Sequence, residues 1–278
     1  MTAIDGLSFT MLERVGRLGN QAIQVAATIG LARRYGYRVL LPERWSYRPF
    51  FSIPDEMFTP APGTYHESYL LPDLHHIAPD YRVYMQDVSL WADEADEIRS
   101  YFAPSPRARE IMAERLRLPT EPWLCVHVRR GDNVHQQEHY PLPSHRYYTA
   151  AAAEHPDMPV VVFGDDFEWN TTVMVPLLAD RRVTVIPSIT RPKEHEPDYM
   201  TAPILDWVDL LAMAQASAFV LSNSTLGVFA AWLAGTDQVT VPTPWYGPAL
   251  PGIDIDLLLP AGWQRRPNRR NQPARSEH

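Results

Sequence analysis

Apolar residues recur along the chain in two rhythms. Short apolar runs of strand length are separated by stretches whose apolar positions fall three and four apart, the spacing of one helix face. Leu7 to Leu12 alternates and predicts a first strand. Gly16-Arg17-Leu18-Gly19-Asn20-Gln21 then makes a glycine-containing turn. Beyond it Ile23, Ala26, Ala27, Gly30 and Leu31 define a helix with one buried face. Tyr37 to Leu41 (YRVLL) predicts a second strand. A strand, a glycine turn, a helix and a strand open a nucleotide-binding type of unit. The glycines let the turn be tight and let backbone N–H groups approach a ligand at the helix start. The pattern is not G-x-G-x-x-G, and no acidic residue follows at the usual distance, so the turn alone carries no function.

Periodicity then lapses. Trp45 to Pro62 is aromatic and proline-rich and predicts a long loop with one helical turn, tucking Phe50 and Phe51 into a core. Tyr81 to Gln86 alternates as a strand, and Asp93–Phe102 and Arg107–Leu118 read as helices, with Pro104 and Pro106 between them. Pro119 and Pro122 mark a boundary, giving an N-terminal α/β domain over 1–119.

The second half alternates more regularly. Strands are predicted at Leu124–Val128, Pro159–Phe163, Arg182–Ile186, Ala218–Leu221 and Gln238–Val241. Between them lie helices at Ser144–Glu154 (Ser144 as cap), after Asp165-Asp166, at Leu205–Gln215 and at Leu226–Ala234. Pro187 to Met200 is a proline- and charge-rich loop. Five short apolar strands with helices between them predict a parallel sheet covered on both faces, over 120–264. Residues 265–278, basic and rich in Pro and Asn, predict a disordered tail.

The chain has 278 residues, 45 % hydrophobic and 21 % charged, as expected of one large or two modest globular domains. Its net charge of -8 argues against broad nucleic-acid binding but leaves room for a local basic pocket. The single cysteine, Cys125, excludes a disulfide within the chain and makes a structural zinc site a poor expectation; it reads as a small buried apolar residue. Met1 to Leu12 lacks the pattern of a signal peptide, and no apolar run reaches the length of a membrane span. The expectation is a soluble, cytoplasmic protein.

Three loops fall at strand ends: Gly16–Gln21, His127–Asn133 and Ser222–Thr225. In the second, His127, Arg129, Arg130 and Asp132 stand where a buried strand stops, the place where open α/β sheets bind ligands. Arginine's planar fork meets phosphate oxygens in pairs. Ser222-Asn223-Ser224-Thr225 supplies hydroxyl and amide groups at a helix start, where free N–H groups favour an anion. Alone, the His127–Asn133 loop leaves an anion site and a solvated turn about even, and Ser222–Thr225 reads as an ordinary cap. Together they fit a pyrophosphate, whose charge two arginines and a helix end could stabilise without a metal. Asp165-Asp166 is an adjacent carboxylate pair at a strand end: one could contact a ribose or base edge while the other caps the next helix. A Mg²⁺ site there lacks a third oxygen ligand, and His127, His135 and His139 lack zinc-helix spacing. His127 is expected to be buried and neutral.

Gly16-Arg17-Leu18-Gly19-Asn20-Gln21, His127-Val128-Arg129-Arg130-Gly131-Asp132 and Ser222-Asn223-Ser224-Thr225…Ala231-Trp232-Leu233 resemble, as a set, the motifs of the alpha-1,2-fucosyltransferases, glycosyltransferase family 11. Gly164 to Trp169 and Tyr81 to Phe102 resemble family segments in the same order. The resemblance implies a GT-B type fold, two Rossmann-like domains facing across a cleft, with no metal or other cofactor. It implies GDP-fucose as donor, a glycan or glycoside hydroxyl as acceptor, and inversion at the anomeric carbon. A lipid-linked acceptor would bring the protein to a membrane surface. By position, Arg129 holds the diphosphate and Arg130 supports it; His127 and one of Asp165 or Asp166 meet the guanosine; Asn223, Ser224 and Thr225 bind phosphate; Gly19 and Asn20 close from the N-terminal half. The catalytic candidates are Arg129 and Asp132, the latter ranked before His135 and Glu138 as the base that takes the acceptor proton. Arg17 replaces the second glycine of the family's opening pair, and Leu226 to Phe229 replace its usual aromatic and serine residues. A transferase of another GDP-deoxysugar, or a non-catalytic sugar-nucleotide or glycan-binding protein, are the alternatives.

Overall fold

Helix α1 (Leu18–Tyr35) is buried almost all round, and the polar residues Gln21, Gln24 and Thr28 on it each make at least one hydrogen bond. Gln21 donates to the Gly16 carbonyl and accepts from the Trp45 indole, Gln24 donates to the Val15 and Val83 carbonyls, and Thr28 meets Ser68 at 3.0 Å. The structure, a computed structural model, describes residues 6–60, 63–187 and 205–268. They fall into two units, Met1–Arg115 with Asp254–Ala261, and Leu116–Ile253 with Gly262–His278. The first unit's share of 254–261 has no counterpart in the domain limits expected from sequence.

In the first unit β1 (Gly6–Ser8) lies between β2 (Arg38–Val39) and β5 (Tyr65–Glu67) in a parallel sheet; β3 (Leu41–Pro42) pairs in parallel with β4 (Phe58–Thr59). The strand expected over Leu7–Leu12 ends at Ser8, since Phe9–Leu12 closes a turn and Thr10 bonds Glu67. The strand expected over Tyr37–Leu41 is two short ones in separate sheets. The stretch 45–60 holds two 3₁₀ turns as well as β4; of the two phenylalanines expected in a core, Phe51 is buried and Phe50 is partly exposed. Tyr81–Gln86 is not a strand: Pro79–Tyr84 is a 3₁₀ helix. Pro79 presets the helical φ of its first turn, and Met85 ends it at φ 52°. Over six residues an apolar alternation does not separate these two states. Helices α2 (Ala95–Tyr101) and α3 (Pro106–Arg115) complete the unit; α3 stops three residues before the expected Leu118.

The second unit is a six-stranded parallel sheet: β6 (Leu124–Val128), β7 (Val160–Gly164), β8 (Val183–Val185), β9 (Ala218–Val220), β10 (Val239–Thr243) and β11 (Gln264–Pro267). The order is β11-β10-β9-β6-β7-β8. The chain builds outward from β6 to β8, then returns to the other side of β6, so the winding reverses between β6 and β9. Alternation along β6 separates two layers. Leu124, Val126 and Val128 join Val160, Val162, Ala218 and Val220 against Tyr147, Tyr148, Ala151 and Ala152 of α4 (His145–Ala152). Met174 and Leu178, from the segment formed by α5 (Phe167–Trp169), a π turn (Asn170–Met174) and α6 (Val175–Leu177), join the same layer. Cys125 and His127 point the other way, where α8 (Thr225–Ala234) approaches the imidazole and α7 (Asp206–Met213) packs on α8. Burial of Cys125 pushes its thiol pKa well up, as befits an inert core residue. Ser144 caps α4 as expected, accepting from the Tyr147 N–H.

One sequence expectation fails here. Arg265–Pro267, assigned to a disordered tail, form β11 at the sheet edge. Gln264 accepts from Thr240, Arg266 pairs with Glu154, and Asn268 bonds the backbone of Leu142 and Ser144. Charged residues are usual on an edge strand, so basic composition alone misplaced it. The rest of that tail and most of the loop expected over Pro187–Met200 lie outside the described residues.

Candidate functional site

The reversal between β6 and β9 is where an open α/β sheet leaves a crevice at its carboxyl edge. Two predicted motifs meet there, one strand spacing apart, about 4.8 Å. The Ser222 N–H donates to the His127 carbonyl at 3.0 Å, and the Ser222 hydroxyl meets His127 Nδ1 at 3.0 Å. Gly227 of α8 leaves room for this ring, because a Cβ there would stand 3.0 Å from Nδ1. His127 is buried, as expected. Burial, and after it the charge of Arg129, lower its pKa to about 3 and keep it neutral at physiological pH.

Beyond the strand the chain turns through Arg129, Arg130 and Gly131, and a carboxylate from the end of β7 fixes that turn. Asp165 Oδ1 accepts the N–H groups of Arg130 (2.8 Å) and Gly131 (3.1 Å), while Oδ2 pairs with Arg129 Nη1. A Cβ on Gly131 would fall 2.5 Å from Asp165 Oδ2 and 2.7 Å from Arg129 Nη1, so a side chain there would displace the ion pair. Arg129 Nη2 also pairs with Asp132. Of the two carboxylates on Arg129, Asp132 is the more open, with 45 % of its side chain exposed against 16 % for Asp165. Arg130 turns aside: its Nε donates to Asp166 Oδ2 at 3.1 Å and its guanidinium lies 4.3 Å over the Trp169 ring. Asp166 Oδ1 in turn caps α5, accepting from the Trp169 N–H.

After β9, Asn223 is anchored by donating to the carbonyls of Pro141 and Trp245. Ser224 is the N-cap of α8, makes no side-chain cap bond, and is followed by no acidic residue in the first turn. The first intrahelical bond at this end runs from Val228 N–H to Ser224 O. The N–H groups of 225–227 therefore lie beyond the reach of helical acceptors, at the positive end of the helix.

The structure thus brings together His127, Arg129, Arg130, Asp132, Asp165, Asp166, Asn223, Ser224 and Thr225. Gly19 and Asn20 belong to the first unit, in the opening turn of α1, where Asn20 Oδ1 accepts from Gln86. His135 and Glu138 lie exposed in the loop after Asp132. Sequence reasoning missed Trp169 as the platform for Arg130, and Ser222 as the partner of His127. A tryptophan three residues past a capping aspartate, and a serine opening the S-N-S run, were the available signals. Of the carboxylate pair, one was expected to cap the next helix, and Asp166 does so, while both also bond the arginine turn. Among the described residues no cluster of three or more His, Cys, Asp or Glu could hold a metal. No helix among them is long and apolar enough to cross a membrane.

His127 and the half-buried Asp209 of α7 titrate in opposite senses. The His127 value of about 3 lies below its ordinary 6.5, so its contribution to stability is full above pH 6.5 and is lost as pH falls toward 3. Burial, then the charge of Asp206, raise the Asp209 carboxyl from 3.8 to about 7, so its contribution is full below 3.8 and is lost as pH rises through 7. Between pH 4 and 6.5 the two slopes, each about 1.4 kcal/mol per pH unit, oppose one another. Asp209→Asn is expected to make stability fall more steeply with acid than in the wild type. Urea denaturation across that range checks it; parallel curves for the two proteins would refute the pairing.

A family model, glycosyl transferase family 11, matches residues 71–247. No curated protein sequence matches the chain. Among solved structures, NodZ alpha-1,6-fucosyltransferase soaked with GDP-fucose is similar at 12 % identity over 83 % of this chain and 93 % of that one, TM-score 0.47. Fucosyltransferase NodZ from Bradyrhizobium is similar at 12 % identity over 82 % and 92 %, TM-score 0.46. E. coli ADP-heptose lps heptosyltransferase II is similar at 14 % identity over 95 % and 90 %, TM-score 0.44.

Proposed function

Because the chain belongs to glycosyl transferase family 11, we propose that this glycosyltransferase moves L-fucose from GDP-fucose to a hydroxyl of a glycan or glycoside, inverting the anomeric carbon. One observation supports the donor site above the rest: Arg129 and the uncapped start of α8 stand at the ends of adjacent strands where the sheet reverses. Fork donors and helix N–H groups converging there suit a diphosphate. In this reading the acceptor oxygen attacks C1 of fucose, the C1–O bond to the β-phosphate breaks, and GDP leaves with the negative charge. Arg129, Ser224, Thr225 and the N–H groups of 225–227 stabilise that charge. Arg130, held on Trp169 and Asp166, adds positive potential and keeps the turn in place. His127 positions Ser222, Asp165 fixes Arg129, and Gly19, Asn20 and Asp166 are further donor contacts. The two-domain GT-B arrangement is part of the same reading.

Asp132 has two tasks. In the free protein it balances the exposed side of Arg129. A bound diphosphate takes that place, and the released carboxylate accepts the acceptor's proton. Asp132→Asn is accordingly expected to bind GDP at least as tightly as the wild type while transfer falls about 10²–10⁴-fold. Unchanged transfer would remove Asp132 from the chemistry and leave His135 and Glu138 to be tested.

Calorimetry with GDP, UDP and GDP-fucose, followed by an acceptor screen begun at the 2-hydroxyl of galactosides, tests the whole reading. GDP and GDP-fucose are expected to bind and UDP not to. No binding of GDP would defeat it. GDP binding without fucose transfer or hydrolysis would favour another GDP-deoxysugar, for which the departures at Leu226–Phe229 leave room. EDTA is expected to leave transfer intact; inhibition restored by Mg²⁺ would contradict the metal-free step.

A further inference from the structure

The groups gathered at the strand ends suit a diphosphate, and a nucleotide also carries a flat base. From the reversal between β6 and β9 that base can run toward β10 or toward β7. Toward β10 the way is bridged. Gly247 N–H bonds the His139 carbonyl at 2.8 Å and Ala249 N–H the Glu138 carbonyl at 2.9 Å, tying the loops after β6 and β10 together. Asn223, at the end of β9, holds both through the Pro141 and Trp245 carbonyls. Toward β7 the edge is open. Val128 pairs with Gly164, so the chain leaves β6 at Arg129 and β7 at Asp165 on one level, about 4.8 Å apart. Read from β8 to β11, the strands stand in the order third, second, first, fourth, fifth, sixth, the doubly wound arrangement in which the nucleoside crosses toward the second strand, here β7.

Phe167 stands just past that strand end. Among the described residues the exposed large hydrophobic side chains are Tyr35, Leu70 and Phe167, and of these Phe167 alone belongs to the second unit; 46 % of it is exposed. The other aromatic rings nearby offer a ligand less. Phe163 and Phe219 are buried in their strands, and Trp169 is covered by Arg130 at 4.3 Å and flanked by His145. The backbone that carries Phe167 is fixed on both sides. Asp165 accepts from Arg130 and Gly131, Asp166 caps the turn, and the Phe167 carbonyl accepts from the Thr171 hydroxyl at 2.8 Å. Side chains on a helix lean toward its N-terminal end. Phe167 opens α5 at the carboxyl edge of the sheet, so its ring leans out past the edge that carries Arg129 and Ser224. Both carboxylates before it are committed to the arginine turn, so the open surface at this strand end is an aromatic face. A ring on a turn already fixed costs little ordering when a base settles on it.

We propose that Phe167 is the face on which the purine base of the donor nucleotide stacks. The assignment rests on the GDP-sugar reading and names the side chain that holds the base within it. Stacking accepts any base but rewards the larger ring system, so it favours a purine. The experiment is calorimetry on the full chain with GDP and, separately, with inorganic pyrophosphate, for the wild type, Phe167→Ala and Phe167→Trp. Phe167→Ala is expected to weaken GDP about 5- to 100-fold, to leave pyrophosphate affinity unchanged, and to keep the wild-type thermal midpoint because the ring is open to solvent. Phe167→Trp is expected to restore GDP binding. Unchanged GDP affinity in Phe167→Ala would overturn the assignment while leaving the GDP-sugar reading intact. Equal losses of GDP and pyrophosphate would also overturn it, since the defect would then lie in the arginine turn. A wild-type protein that does not bind GDP would defeat the GDP-sugar reading and, with it, this role for Phe167.

Discussion

Arg129→Ala is expected to lower GDP affinity and fucose transfer together, transfer by about 10³-fold or more, in a protein that still folds. The size follows from what Arg129 supplies: a forked cation at a partly dry strand end, directed to where the leaving diphosphate gathers charge. Loss of a single well-placed donor costs about 10²–10³ in rate, and here the same group also binds the ground state. The effect on stability is expected to be small, about 1–2 kcal/mol. Asp132 is open and rehydrates once its partner is gone. Asp165 keeps the N–H groups of Arg130 and Gly131. Arg129→Lys retains charge but not the fork, so it is expected to fall between the two. Calorimetry with GDP and thermal unfolding on the same samples read both effects. A folded Arg129→Ala protein with wild-type GDP affinity would contradict the assignment, and one that fails to fold would make the arginine structural.

Asp165→Ala is expected to be the more destabilising change, although Asp165 is not placed on the donor. It removes two N–H acceptor contacts and the less exposed of the two ion pairs on Arg129. Bonds to a charged acceptor and a broken, mostly buried pair together amount to about 2–4 kcal/mol. Transfer is expected to fall with it, because the turn that aims Arg129 is no longer held. Asp165→Asn separates the two effects. Its amide oxygen still accepts both N–H groups, so most of the stability returns, while Arg129 loses a counter-charge and its fixed direction. Urea unfolding and transfer rates on Asp165→Ala, Arg129→Ala and the double variant form a cycle in which the two changes are expected to be strongly non-additive. Additive losses would mean that Asp165 and Arg129 act independently.

What the residues revealed before folding, and what they concealed, divides along a physical line. Most of the second unit was readable because five of its strands are short apolar runs and its longer helices have their own apolar faces; even the cap at Ser144 was visible. β11 was hidden because an edge strand is held by one neighbour and tolerates arginine, so Arg265 and Arg266 looked like a tail. In the first unit strands of two or three residues, such as β2 and β3, are too short for a period to register, and Pro79–Tyr84 imitates a strand. At the site, the motifs indicated which residues would gather. They did not indicate who bonds whom: Asp165 and Asp166 belong to the arginine turn, and Trp169 holds Arg130, relations between chain positions more than thirty residues apart. Local pattern carries no information about pairing of that kind, whereas strand order does.

The most direct measurement is a crystal structure of the protein with GDP. The diphosphate is expected at the carboxyl edge between β6 and β9, its oxygens within hydrogen-bond distance of the Arg129 guanidinium and of the N–H groups of 225–227, with Asp132 turned away from Arg129. GDP bound elsewhere, with Arg129 still closed between Asp132 and Asp165, would contradict it.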